Sequence, residues 1–217
     1  MIKAVLFDLD GTLVNSLDDL ANACNYALRC NNFPVHETEA YKYFVGNGIP
    51  KLIERILPEN SRDAEIKARV SEKFYEHYSL HYADNTVVYR GLHELVDAIK
   101  KLGIKVAVVT NKADGPAKEV VNKVMPNTFD LVYGQREGIP TKPDPTLTLM
   151  AMKELGVKPD ECIFIGDSGM DVATAVNSGA VPVGVLWGFR KADELEQNGA
   201  RYLIDVPEKL LDIIKEN

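Results

Sequence analysis

Short apolar runs alternate with helical patterns along most of the chain. Each run has the length of a buried strand, and apolar residues at helical spacing separate it from the next. The predicted strands are 2–7, 104–109, 131–133, 162–165, 181–186 and 202–204. The predicted helices are 92–102, 113–124, 147–155, 171–178 and 208–215. Strands separated by helices predict an α/β fold with a parallel sheet covered on both faces.

Residues 16–83 break this alternation, because they carry helical patterns and no strand signal. Ser16-Leu17-Asp18-Asp19 predicts a capping box, in which Ser16 and Asp19 close the start of a helix. Apolar residues recur at helical spacing again between positions 66 and 82. We therefore predict a core domain made of 1–15 and 84–217, with a small helical cap domain, 16–83, inserted after the first strand.

Composition and charge restrict the possible partners. The 217 residues are 46% hydrophobic and 26% charged, which is sufficient to bury a core without disulfides. A net charge of −7 disfavours binding to nucleic acid or to an anionic membrane. No apolar run approaches the roughly 20 residues of a membrane span. Three scattered cysteines and an acidic residue as early as Asp8 predict a cytoplasmic protein.

Acidic and polar residues follow the predicted strands directly. Asp8 and Asp10 come after the first strand, and residues two apart on an extended chain point to the same side. Thr110 and Asn111 follow strand 104–109, and Asp167 follows strand 162–165. The carboxyl ends of parallel strands share one edge of the sheet, and ligands bind outside that edge. We therefore expect these side chains to form one site.

The charges expected at this edge require a cation. They belong to Asp8, Asp10, Asp167, Asp171 and Lys142, and they sum to −3. One divalent cation would bring the sum to −1. A ligand set made of oxygen atoms suits Mg²⁺, which usually completes its shell with water and phosphate oxygens. The sequence therefore predicts a site for Mg²⁺ and a small phosphorylated metabolite.

These residue types can transfer a phosphoryl group. An ionised carboxylate can attack phosphorus and form an aspartyl-phosphate, and Asp8, nearest the strand, suits that role. Asp10 can act as the general acid and base. Thr110 can donate its hydroxyl to a phosphoryl oxygen, and Lys142 can offset negative charge there. Asn111 is predicted to contact the substrate with these two residues.

Four ordered motifs resemble those of the haloacid dehalogenase-like superfamily. They are Asp8-Leu9-Asp10-Gly11-Thr12, Thr110-Asn111, Lys142-Pro143, and Gly166-Asp167-Ser168 with Asp171. The resemblance implies a Rossmann-like three-layer core, a helical cap, and Mg²⁺-dependent phosphoryl transfer through Asp8. It implies metal ligation by the side chains of Asp8 and Asp167 and by the Asp10 main-chain carbonyl, with Asp171 in support. An acid at position 10 resembles the phosphatases and mutases rather than the dehalogenases.

The cap is expected to select the leaving group. Gly46, Asn47 and Gly48 precede a helix predicted to start near Ile49, and free N–H groups at a helix start bind anions. This loop resembles that of phosphoglycolate phosphatases, which implies that it binds the substrate carboxylate, with Lys51 and Arg55 in support. A simple glycine turn is the alternative.

Several functions remain open from the sequence. Sugar-phosphatase, pyrophosphatase or β-phosphoglucomutase-like activity would fit the same core. A non-catalytic phospho-acceptor signalling protein is the alternative of a different class. The sequence leaves open whether the protein is a monomer or a homodimer.

Overall fold

Six parallel strands form the main sheet of the computed structural model, which describes residues 1–217. The chain contains eight strands: β1 (Ala4–Phe7), β2 (Val14–Asn15), β3 (Val87–Val88), β4 (Lys105–Ala113), β5 (Leu131–Gln135), β6 (Cys162–Gly166), β7 (Val181–Val185) and β8 (Tyr202–Ile204). Strands β2 and β3 lie outside the main sheet. The α-helices are α1 (Leu17–Cys30), α2 (Tyr41–Phe44), α3 (Ile49–Ile56), α4 (Ala64–His81), α5 (Leu92–Lys101), α6 (Asp114–Val124), α7 (Thr146–Leu155), α8 (Gly169–Ser178), α9 (Ala192–Gln197) and α10 (Lys209–Glu216). The main sheet confirms the predicted Rossmann-like α/β fold.

The strand order of the sheet is β5-β4-β1-β6-β7-β8. The chain builds outward from β1 to β5 on one side and then returns to build β6 to β8 on the other. The direction of winding therefore reverses between β1 and β6, which is where doubly wound folds bind ligands. Phe7, the last residue of β1, pairs with Val108 on β4 and Ile165 on β6, so these strands end at a common edge.

The chain divides into two compact units. The core unit consists of Met1–Asn15 and Val88–Asn217, and the inserted unit consists of Ser16–Val87. The inserted unit is helical, as its apolar spacing predicts, and α1 packs against α4 within it. Its second boundary lies four residues later than the predicted position 83.

Asp19 explains this later boundary. The predicted capping box is wrong, because the Ser16 side chain caps no helix N–H. Asp19 is instead buried, and its carboxylate accepts hydrogen bonds from Asn85 N, Asn85 Nδ2 and Thr86 Oγ1 at 2.7–3.1 Å. Three donors from a distant segment satisfy this carboxylate more fully than the helix start could. They tie residues 85 and 86 to the inserted unit.

Two elements of the core unit differ from prediction near the edge of the sheet. Strand β4 continues through Thr110 and Asn111, and its register with β5 shifts between Val109 and Ala113. Helix α8 begins two residues earlier than predicted, because Ser168 and Asp171 form a capping box there. None of the helices combines the length and the hydrophobicity that a membrane span requires.

Candidate active site

Three buried carboxylates meet where β1 and β6 end. Asp8 follows β1, Asp167 follows β6, and Asp171 lies in the first turn of α8. One oxygen from each lies within 4.8 Å of the other two, and each residue is no more than 6% exposed. The structure therefore brings together three of the four predicted metal-site residues through their side chains.

Lys142 lies against this cluster. Its Nζ donates to Asp8 Oδ1 at 2.6 Å and to Asp171 Oδ1 at 2.5 Å. The main chain of Lys142 is held by Asn111, whose Oδ1 accepts from Lys142 N at 2.8 Å and whose Nδ2 donates to Lys142 O at 3.4 Å. The ammonium group thus has a fixed position between two carboxylates.

Asp171 links Lys142 to the start of α8. Its Oδ1 is bonded to Lys142, and its Oδ2 accepts from Ser168 N at 3.0 Å and Ser168 Oγ at 2.5 Å. A Cβ added at Gly166 would lie 2.1 Å from Asp171 Cβ, so only glycine fits there. Because both oxygens of Asp171 have partners, this residue is suited to positioning Lys142. Ser168 belongs to the fourth sequence motif, but its capping role was not predicted, although a serine three residues before an acid is a recognisable cap signal.

Asp167 occupies a closely fitting pocket. Its Oδ2 accepts from Phe189 N at 2.7 Å, and its Oδ1 accepts from Thr12 Oγ1 at 3.2 Å. Added Cβ atoms at Gly11 and Gly188 would lie 2.4 Å and 2.2 Å from the Asp167 side chain. The two glycines therefore allow backbone to approach this carboxylate closely. Neither glycine could carry a side chain without displacing Asp167.

Burial and mutual repulsion shift the ionisation of the cluster. Burial, followed by the charge of Asp171, raises the pKa of Asp8 to about 7 and that of Asp167 to about 8. Burial opposes the charge on Lys142, but Asp171 and Asp8 raise its pKa above the ordinary value. Carboxylates that resist ionisation because like charges lie close together are stabilised by a bound cation. The all-oxygen donor set fits a hard divalent ion such as Mg²⁺.

Asp10 pairs with a residue that the sequence reasoning did not assign. Lys112 Nζ lies 3.1 Å from both Oδ1 and Oδ2 of Asp10, and the two side chains are only 6% and 13% exposed. Lys112 N also donates to Thr110 Oγ1 at 3.2 Å. The signal available in the sequence was the position of Lys112 directly after Thr110-Asn111 on the strand.

The glycine loop belongs to the inserted unit. Helix α3 begins at Ile49 as predicted, and Gly46 and Gly48 adopt φ angles of 119° and 76°. The two cations predicted to support the loop have other partners. Lys51 Nζ donates to Glu54 at 2.9 Å, and Arg55 Nη1 donates to the Phe44 carbonyl at 2.8 Å. Substrate binding by Gly46, Asn47 and Gly48 stays a prediction.

Comparison with known proteins identifies the family. The sequence profile described as haloacid dehalogenase-like hydrolase matches residues 5–185, which is most of the chain. The chain belongs to the haloacid dehalogenase-like hydrolases. A phosphoglycolate phosphatase from Chromobacterium violaceum is 33% identical to this hydrolase over 219 residues, covering 99% of this chain and 97% of the relative.

Solved structures agree on the fold of this hydrolase. A crystal structure from Lactobacillus delbrueckii subsp. bulgaricus, provisionally assigned as a phosphoglycolate phosphatase, superimposes with a TM-score of 0.93 at 32% identity, covering 98% of each chain. A β-phosphoglucomutase from Clostridium difficile superimposes with a TM-score of 0.80 at 24% identity, and the match covers 100% of this chain and 96% of the mutase chain. At that identity the likeness shows the fold alone, so the fold does not separate hydrolysis from a mutase reaction.

Proposed function

We propose that the protein is a Mg²⁺-dependent phosphatase that hydrolyses a small phosphate monoester, best 2-phosphoglycolate, through an aspartyl-phosphate on Asp8. The chain is a phosphoric monoester hydrolase of the haloacid dehalogenase-like family. The observation that carries the proposal is the convergence of the Asp8, Asp167 and Asp171 carboxylates within 4.8 Å. The substrate follows from the name of the Chromobacterium violaceum relative.

The side chains of Asp8 and Asp167 would hold the cation, together with the main-chain carbonyl of Asp10. Asp171 would support them, because its oxygens already bind Lys142 and Ser168. When bound, the cation would offset the repulsion between Asp8 and the phosphate and stabilise charge on the transferring oxygens.

The two carboxylates nearest β1 carry the chemistry. Lys142 holds Asp8 Oδ1, so Oδ2 is the oxygen that attacks phosphorus. The bond from phosphorus to the ester oxygen breaks, and protonated Asp10 gives its proton to that oxygen, which leaves as an alcohol. Asp10 then takes a proton from water as the water oxygen attacks phosphorus. The bond to Asp8 breaks, and inorganic phosphate leaves.

Thr110 and Asn111, both on β4, are proposed to assist the reaction. Thr110 Oγ1 already accepts a hydrogen bond from Lys112 N, so its single proton is available for a phosphoryl oxygen. Asn111 fixes the main chain of Lys142 and so positions the ammonium group beside Asp8. We propose this positioning role for Asn111 beside its predicted contact with substrate.

The other functions differ in what happens after Asp8 is phosphorylated. A mutase would pass the phosphoryl group to a second hydroxyl, and a signalling acceptor would retain it. Asp10, two residues after the nucleophile, favours rapid hydrolysis and disfavours a long-lived phosphoryl group. Sugar phosphates and pyrophosphate remain competing substrates, because the nucleophile and the proposed metal site act only on the phosphate group that all these compounds share.

The test is phosphate release from a panel of esters with Mg²⁺ or with EDTA. The panel contains 2-phosphoglycolate, glucose 6-phosphate, pyrophosphate, p-nitrophenyl phosphate and β-glucose 1-phosphate, the last also assayed for glucose 6-phosphate formation. We expect release that requires Mg²⁺, is greatest for 2-phosphoglycolate, and is abolished in Asp8→Asn. Turnover that persists in Asp8→Asn would exclude the aspartyl-phosphate, and turnover in EDTA would exclude the metal.

A further inference from the structure

We infer that Lys112 selects phosphate esters whose leaving group carries a carboxylate one carbon away from the ester oxygen. The inference rests on the proposed function, because it places the leaving group beside Asp10. Lys112 Nζ lies 3.1 Å from each oxygen of Asp10, and its side chain is 6% exposed. A lysine so enclosed has a defined position beside the proton donor.

Distances bring this ammonium group within reach of such a carboxylate. A general acid approaches the oxygen that it protonates to about 2.6–3.2 Å. Lys112 Nζ therefore lies within about 6 Å of the leaving oxygen. In 2-phosphoglycolate the carboxylate carbon is about 2.5 Å from that oxygen, by ordinary bond lengths and angles. The carboxylate can thus lie between the leaving oxygen and Lys112 Nζ and accept a hydrogen bond from Lys112.

The positions of Lys142 and Lys112 in the core unit also favour recognition of the carboxylate by Lys112. Lys142 binds Asp8 and Asp171, so its charge acts on the phosphoryl side. An ester with a carboxylate brings a further negative charge to the leaving-group side, where Lys112 lies against Asp10. An ammonium group has three N–H donors, so Lys112 can donate to the carboxylate and keep a bond to Asp10.

The glycine loop of the inserted unit offers fewer charged donors than the sequence predicts. Pro50, the second residue of α3, has no N–H to donate. Lys51 and Arg55 bind Glu54 and the Phe44 carbonyl. A buried cation in the core unit is therefore the stronger candidate for recognising the carboxylate.

The test compares two esters that differ in one group. The carboxylate of 2-phosphoglycolate is replaced in 2-hydroxyethyl phosphate by a neutral hydroxymethyl group. We expect Lys112→Met to lower kcat/KM for 2-phosphoglycolate about 10- to 100-fold more than for 2-hydroxyethyl phosphate, as loss of a charged hydrogen bond predicts. The added loss should appear mainly in KM. Lys112→Arg should restore most of it, because the charge is kept.

The ratio of the two rates separates recognition from structural damage. Partial unfolding or a misplaced Asp10 lowers both rates by the same factor and leaves their ratio unchanged. Lys101→Met, an exposed lysine at the end of α5, removes the same charge and should not change the ratio. Equal losses in Lys112→Met would overturn the inference and leave the proposed function intact. A wild-type enzyme that hydrolyses neither ester would refute the proposed function itself.

Discussion

Replacing Asp8 by asparagine should stabilise the metal-free protein at neutral and alkaline pH, even though it removes the nucleophile. Burial and the charge of Asp171 raise the pKa of Asp8 from 3.8 to about 7. Between these values the folded state holds a proton that the unfolded chain releases. The contribution of Asp8 to wild-type stability therefore falls as the pH rises from about 4 to about 7, because at this residue the folded state binds more protons than the unfolded chain. Asparagine does not titrate and avoids this loss.

The pKa shift gives the size of the effect. The free energy of unfolding of the wild type should fall relative to the variant by about 1.4 kcal/mol per pH unit. Between pH 5 and pH 8 the difference should grow by about 2–3 kcal/mol, with most of the growth below pH 7. Little screening by solvent applies, because Asp8 is only 6% exposed. The asparagine side chain would keep an oxygen that can accept the hydrogen bond from Lys142.

Urea unfolding followed by circular dichroism at pH 5, 6, 7 and 8 in EDTA measures this difference. Subtracting the variant from the wild type at each pH cancels the titrating groups that lie away from the Asp8 cluster. Asp212→Asn is the matched control, since Asp212 pairs with Lys215 in a surface bridge with both side chains largely exposed. Mg²⁺ at pH 8 should stabilise the wild type more than Asp8→Asn. A difference that stays constant from pH 5 to pH 8 would refute the charge argument.

Three further substitutions test the remaining parts of the site. Asp10→Asn should slow phosphate release from alkyl esters about 10²–10⁴-fold while Mg²⁺ still raises the melting temperature; an unchanged rate would remove Asp10 from proton transfer. Lys142→Met should lower the unfolding free energy in EDTA at pH 8 by about 3–5 kcal/mol, because two buried carboxylates lose their cation. Urea unfolding measures this loss, and a stability equal to that of Lys101→Met would contradict it. Asn47→Ala should lower kcat/KM for 2-phosphoglycolate and for 2-hydroxyethyl phosphate by a similar factor, because Lys112 is inferred to recognise the carboxylate; a larger loss for 2-phosphoglycolate would show that the glycine loop also binds it.

The sequence was informative where burial is continuous. All residues of β1 and of the Cys162–Gly166 strand are buried, so their side chains are apolar. The first acidic residue after each apolar run therefore marked the end of the strand. Strand ends in a parallel sheet meet at one edge. Asp8 and Asp167 could therefore be placed together although they lie far apart in the sequence.

The features that the sequence did not predict depend on partners far away in the chain. Asp19 has the spacing of a capping residue, but donors from Asn85 and Thr86 in the folded unit determine its position. Lys112 follows Thr110-Asn111, but its contact with Asp10 spans 102 residues. Local patterns carry no information on such pairs, because a lysine on a strand end is usually solvated.

The same arrangement links the stability of the core unit to its chemistry. Asp8 can attack phosphorus only as a carboxylate, yet burial beside Asp171 favours its protonated form near neutral pH. Asp8 is therefore expected to destabilise the metal-free protein most at the pH where it is ionised. Anything that binds the ionised cluster stabilises the folded state by mass action. As the pH rises and Asp8 ionises, the affinity for Mg²⁺ should therefore increase while the contribution of Asp8 to the stability of the metal-free protein decreases. Asp8→Asn should uncouple these two changes.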